Sequence, residues 1–321
     1  MRRREFIAFT FSVGVLPFSA YAQSRKYRVG ILMLDSEEHV YDFEEPLKEL
    51  GYVRNDNLEL LPRSAQGDPE RLAALAEELA LIRPDVLVAG WGTLAPKALK
   101  AATTDIPIVF TVVGDPVGAG LVQSLARSGG NLTGLSGQST EFKGKQLELL
   151  LKCVPGQRMV AVLLNPDTPY SALSLKVLEP AAAQMGVQLK IFNVRRPADF
   201  TGDQMDLLVA AGATSLLIVE DPLTSSIAHS VLEQASRLRL PSITGLSYVR
   251  SGGLIGYGID RKDTYRRAAG YVDKVLKGAK PSDLPIELPT KFKLTLNLKT
   301  AKSLGIEIPP SLLLAADEII E

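Results

Sequence analysis

The sequence predicts an α/β protein made of two doubly wound, Rossmann-like lobes. Two observations carry this. Short apolar runs alternate with amphipathic segments along the 321-residue chain, the pattern of a parallel sheet covered by helices on both faces. The alternation starts at Tyr27 and restarts after Gly144, so the two halves read as pseudo-repeats of one βαβαβ plan.

In the first half, Val29 to Leu34 reads as a buried strand. Phe43 to Leu50 reads as a helix closed by Gly51, and Leu58 to Leu61 as a second strand. Asp68-Pro69-Glu70 is a helix start, with a capping residue and proline at the first helical position. Leu72, Leu75, Ala76, Leu79 and Ile82 then recur at helical spacing. Asp85 to Ala89 and Ile106 to Phe110 are strands, with a helix at Leu94 to Ala102 between them.

In the second half, a helix carries Leu147, Leu150 and Leu151. Met159 to Leu164, Val187 to Val194, Leu216 to Val219 and Leu240 to Thr244 read as strands. Ala172 to Met185, Asp203 to Ala211 and Thr224 to Leu238 read as helices. Two glycine-rich runs, Gly129 to Ser136 and Gly252 to Gly258, read either as crossings between the lobes, the expectation adopted, or as ordinary edge hairpins.

Composition narrows the function. Acidic and basic residues balance at 36 each, so no net field draws the protein to nucleic acid or anionic lipid. Cys153 is the single cysteine and His39 and His229 the two histidines, which argues against a disulfide framework and against a thiolate or imidazole metal centre. No cofactor is expected. Arg2 to Arg4, an apolar stretch from Phe6 to Phe18, and Ala20-Tyr21-Ala22 make a three-part secretory signal over residues 1–22. Arg3-Arg4-Glu5-Phe6-Ile7 leaves export by the Tat or the Sec route open.

In open parallel sheets, ligands bind beyond the carboxyl ends of the strands. That rule selects the loops Asp35-Ser36, Gly90-Trp91-Gly92-Thr93, Val113 to Pro116, Asn165-Pro166-Asp167, Glu220-Asp221-Pro222 and Gly245 to Tyr248. From them Asp35, Trp91, Gly92, Thr93, Gly114, Asp115, Asn165 and Asp221 are the candidate binding residues, with Tyr257 from the second glycine-rich run. Gly92 permits close backbone approach. Thr93 stands where it caps the next helix, and free N–H groups at that end suit an anion. Trp91 either stacks on a flat ligand or packs under the following helix. Asp221 holds, in the second half, the place of Thr93 in the first. It either starts a helix or meets a cation. His39 reads as a solvated loop residue, Lys143 and Lys145 as surface charges, and Cys153 as a small packed residue. Nucleotide-binding and nucleophile-elbow motifs are absent.

Arg2 to Ile7, Gly67 to Leu72, Ile106 to Phe110, Gly114 to Val122, Gly129 to Gly134, Gly252 to Gly258, Arg266 to Val272, Pro289 to Phe292, Asn297 to Lys302 and Pro309 to Leu313 form an ordered set of short motifs. In order and spacing they resemble the ABC-transporter substrate-binding family that contains tryptophan- and tyrosine-binding proteins. The likeness implies a type I periplasmic-binding-protein fold with three hinge crossovers, the third near Pro289 to Asn297. The first lobe would comprise 27–134 plus about 257–288, and the second about 137–252 plus about 292–321. It implies a monomer that captures a small molecule, such as an amino acid or aromatic compound, for an ABC permease in the inner membrane, without catalysis. It also implies that Thr93, Gly114-Asp115 and Asp221 fall in the cleft. Trp91 departs from the smaller residues at that place in many members. Two rival classes are weighed. A sensor or repressor-type effector domain shares the fold, but a repressor would begin with a helix-turn-helix. An exported α/β enzyme would need a nucleophile, a base and an oxyanion site in one cleft.

Overall fold

The computed structural model describes residues 25–35, 40–137, 140 and 142–321. The expected signal segment and His39 lie outside them. The chain runs β1 (Tyr27–Met33), α1 (Tyr41–Glu49), β2 (Leu58–Ser64), α2 (Leu72–Ile82), β3 (Val86–Ala89), α3 (Leu94–Ala102), β4 (Ile108–Val113) and β5 (Leu132–Ser136). It continues with α4 (Lys143–Cys153), β6 (Met159–Leu164), α5 (Pro169–Met185), β7 (Gln188–Asn193), α6 (Gly202–Ala210), β8 (Ser215–Ile218), α7 (Pro222–Ser226), α8 (Ala228–Arg237), β9 (Ser242–Thr244), α9 (Leu246–Val249) and β10 (Ile255–Gly258). Then come α10 (Arg261–Leu276), β11 (Lys293–Asn297), α11 (Leu298–Leu304), α12 (Pro310–Ala315) and β12 (Glu318–Ile320).

Among the described residues the strands form two sheets. One has the order β2-β1-β3-β4-β5, all parallel. The other has the order β12-β11-β10-β9-β8-β6-β7, parallel except between β10 and β11. Central strands such as β3 and β8 are buried along their whole length, as parallel strands between two helix layers must be. Leu32, Leu79 and Leu99 pack on one face of the first sheet, and Val29, Phe43 and Tyr265 on the other. Leu147, Leu178 and Leu296 cover one face of the second sheet, and Met205, Val231 and Leu232 the other.

Helix ends follow local chemistry. Thr168 caps α5, accepting from Tyr170 N–H at 3.3 Å, with Pro169 at the first helical position. Gly186 ends the same helix at φ +70°. The helix expected from Thr224 to Leu238 is two helices broken at Ile227. Thr224 Oγ1 donates within reach of the Val219 and Asp221 carbonyls, and Ser226 Oγ donates to Leu223 O at 2.8 Å. Such side-chain bonds compete with helix continuation.

The run Gly129 to Ser136 is not simply a crossing. Leu132–Ser136 is β5, paired with β4 on its inner side, and residues around Glu287 bond its outer edge. Gly134 is required by packing, since a Cβ there would lie 2.1 Å from the Phe110 carbonyl oxygen. Likewise β10 belongs to the second sheet, so the chain leaves that sheet after Gly258. α10 then packs on α1, β4 and β5 of the first. The chain thus passes between sheets three times among the described residues: from β5 to α4, from β10 to α10, and from α10 back to β11. Phe142, Tyr257 and Phe292, one at each passage, form a ring cluster with centroids 5.1 to 6.1 Å apart.

Candidate functional site

The carboxyl ends of the parallel strands in both sheets open on one cavity of about 550 Å³, within the usual range for a small-molecule site. The first-sheet side supplies Trp91, Gly92, Thr93, Val112 and Gly114. The second supplies Thr168, Tyr170, Glu220, Asp221, Leu246 and Ser247. The crossings add Phe142, Ile259, Asp260 and Arg261.

The lips touch. A Cβ on Gly92, whose φ is +96°, would lie 2.8 Å from the Pro222 ring, and one on Gly118 would lie 3.1 Å from Leu173. A Cβ on Gly67 would lie 3.3 Å from Pro197. The cavity therefore lies between two halves in contact, and Thr93 and Asp221, which both line it, adjoin the touching residues Gly92 and Pro222.

Thr93 is buried, and its side chain makes no cap bond to α3, contrary to the capping role expected of it. The first N–H groups of a helix have no partner in their own helix; in α3 these are those of Leu94 and Ala95, since Pro96 has none, and they follow directly on the cavity residue Thr93 with the positive end of the dipole. Trp91 is half-buried in the wall. Its Nε1 donates to Asp35 Oδ2 at 2.9 Å, which fixes the ring.

Asp221 is 4 % exposed. Its Oδ1 accepts from Leu223 and Thr224 N–H at 2.8 and 3.2 Å, and Asn165 Nδ2 lies 3.4 Å from Oδ2. Burial pushes its carboxyl up to about 6, against the pull of these bonds and with a further push from Asp35. Glu220 beside it is raised by burial and drawn back by Lys143 and Arg261. Burial also acts on Asp260, but Lys293, at 2.7 Å, and the α10 N–H groups it caps hold it below the usual carboxylate range.

Of the residues singled out in the sequence, Trp91, Gly92, Thr93, Gly114 and Asp221 line the cavity. Asp35, Asp115, Asn165 and Tyr257 do not. Asp35 and Asn165 stand behind the wall, holding Trp91 and Asp221. Asp115 accepts from Gly118 N–H at 2.8 Å and staples its own loop. Tyr257 is turned into the ring cluster of the crossings. Lys143 is not a surface charge: it is completely buried, with Nζ 2.9 Å from Gln146 Oε1. The strand-end rule missed Phe142, Asp260 and Arg261, because the crossings that carry them join distant parts of the chain. Glu220 was one residue from Asp221 and carried the same signal. Among the described residues no cluster of His, Cys, Asp and Glu is placed to hold a metal, and no helix is long and apolar enough to cross a membrane.

Two parallel-sheet lobes closing on a cavity at their strand ends define a type I periplasmic-binding-protein fold. The chain belongs to the ABC transporter substrate binding protein family, whose model matches residues 32–320. It is 27 % identical over 269 residues to a tyrosine-binding protein of Clostridioides difficile (strain R20291), covering 83 % of this chain and 76 % of that one. A crystal structure of an ABC domain from Streptococcus pneumoniae in complex with L-Trp superposes with a TM-score of 0.83 at 25 % identity, over 92 % of this chain and 100 % of that one. A conserved domain protein from Vibrio cholerae gives 0.85 at 29 % identity over the same shares. The protein is a binding protein and not an enzyme.

Proposed function

We propose that the protein captures an aromatic α-amino acid between its lobes, in an exported compartment, and delivers it as a monomer to an ABC permease. One observation carries this reading: a single cavity is lined by buried Asp221 from one sheet and by Thr93, at the uncapped start of α3, from the other. A carboxylate with a raised affinity for protons suits an ammonium, and helix N–H groups suit a carboxylate. Trp91, Phe142 and Tyr170 supply aromatic surface beside that pair. The tyrosine-binding relative and the L-Trp complex support the ligand class, and the N-terminal signal supports export. The moving units are the two sheets with their helices, turning about the three passages.

Calorimetric titration with a panel of L-amino acids and sugars tests the ligand class. Micromolar or tighter binding confined to aromatic amino acids is expected, with compaction in small-angle scattering. Binding of a sugar and of no amino acid overturns the reading.

A further inference from the structure

The second lobe presents two adjacent carboxylates to the cavity, and they differ in how fully they are bonded. Asp221 already accepts two backbone N–H groups and faces Asn165. Among the described residues Glu220 has one hydrogen bond, from Ser247 Oγ to Oε1 at 3.5 Å, the outer limit for such a contact. Its carboxylate occupies a made recess. Gly245 has φ −76° and ψ 171°, a conformation open to any residue, yet a Cβ there would lie 1.6 Å from Glu220 Oε1. The carboxylate, not the backbone, excludes a side chain at 245.

The position of the recess matters. Asp221 adjoins Pro222 at the lips. Glu220 points the other way, toward Ser247 and Gly258 near the second passage. Phe142 and Tyr170 line the same cavity as Glu220, so a ring held there would have this carboxylate in the same wall.

Lys143 stands behind this wall. It is the first residue of α4, where a cation opposes the helix dipole. It is fully buried, and burial of an ammonium is strongly unfavourable without compensation. Its one hydrogen bond among the described residues is to neutral Gln146, and its Nζ lies 5.6 and 5.7 Å from the ring centres of Phe142 and Tyr170, both cavity residues. Glu220 lies in its field.

We propose that Glu220 determines specificity by accepting a hydrogen bond from a donor on the ligand's side chain, a phenol hydroxyl or an indole N–H. The proposal rests on the amino-acid reading above. A phenyl ring offers no donor and would leave a desolvated carboxylate unpartnered, the kind of mismatch that discriminates most strongly between ligands.

The test is calorimetric titration of the purified protein with L-Tyr, L-Trp, L-Phe and O-methyl-L-tyrosine. L-Tyr and L-Trp should bind at least about tenfold more tightly than the two ligands that lack the donor. Glu220→Met should bring the Tyr-to-Phe ratio close to one, and Glu220→Gln, which keeps an acceptor, should give an intermediate ratio. Arg261, Ser247 and Tyr248 also act on or lie near Glu220, and all are unchanged in these variants. Equal binding of all four ligands by wild type overturns the proposal and leaves the amino-acid reading standing. So does a ratio that Glu220→Met does not change, or a loss equal for all four. Failure of every aromatic amino acid to bind removes both. Should Glu220→Met fail to fold, the wild-type comparison of L-Tyr with O-methyl-L-tyrosine decides alone.

Discussion

β3 and β8 are the third strands in sequence of their halves, and each ends at the cavity. Their loops have opposite chemistry. After β3 comes Gly90-Trp91-Gly92-Thr93, a loop that leaves the first N–H groups of α3 without a side-chain cap. After β8 comes Val219-Glu220-Asp221, in which Asp221 consumes the first N–H groups of α7 and still turns a carboxylate to the cavity. One scaffold thus provides a donor wall and an acceptor wall. What differs is only whether the helix after the strand is capped by an acidic side chain or left open.

The largest expected effect comes from forcing the two loops apart. Gly92→Val places a branched side chain where a single Cβ already lies 2.8 Å from Pro222, at φ +96°. A strained backbone of this kind costs about 1–3 kcal/mol. Ligand affinity should drop by at least about a hundredfold, while each lobe keeps its circular dichroism signature and scattering reports an open shape. A variant that still binds and compacts would show that the lips need not meet.

Next is Asp221→Asn, which removes the charge from the acceptor wall. An amine-bearing ligand should weaken about ten- to a hundredfold in calorimetry, since a charge-assisted bond contributes roughly 1.5–3 kcal/mol. Stability should move the opposite way. Burial holds the folded carboxyl at about 6 against 3.8. Folding therefore favours its protonated form, a contribution fully present below about 3.8 and lost as pH rises through about 6. At neutral pH the ligand-free protein carries the ionised group at a penalty of order 3 kcal/mol. Asp221→Asn should raise the ligand-free melting temperature at pH 7 and not at pH 4. An unchanged affinity would leave Asp221 as a helix cap alone.

The same titration predicts a pH dependence in the wild type. The ammonium needs the ionised carboxylate, so affinity should fall as pH drops below about 6. The loss approaches tenfold per unit at most. An affinity flat from pH 7.5 to 5 would break the assignment of the amine to this wall.

The smallest effect is on the donor wall. Thr93→Ala should change affinity by less than about threefold, because the backbone donors remain. Since Thr93 makes no cap bond but is buried, the loss of stability should be only that of the removed methyl, about 1 kcal/mol. A large loss of binding would mean that the hydroxyl, not the helix end, holds the carboxylate.

Much of this was legible in the sequence, for identifiable reasons. Buried strands such as Met159–Leu164 announce themselves as apolar runs, and α3 falls at Leu94–Ala102 as its spacing predicts. The strand-end rule found both walls, since it depends only on chain order. It could not separate residues that line the cavity from those that hold the lining, which is why Asp35 and Asn165 were grouped with Trp91 and Asp221. It also could not see Lys143. A lysine followed by glycine and lysine reads as surface, and only tertiary packing of the first passage against Tyr170 and Phe142 buries it. β5 was obscured by Gly134, which interrupts the apolar run because the neighbouring strand comes too close for a side chain.

The residues that meet at the lips have a thermodynamic consequence. Gly67, Gly92 and Gly118 meet Pro197, Pro222 and Leu173. Glycine and proline have essentially no rotamer freedom to lose, whereas a long polar side chain gives up about 1.5–2 kcal/mol when it is fixed. Among these contacts Leu173 alone has rotamers to lose, about 0.5–1 kcal/mol. Bringing these three pairs of residues together therefore freezes little, and separating them releases little.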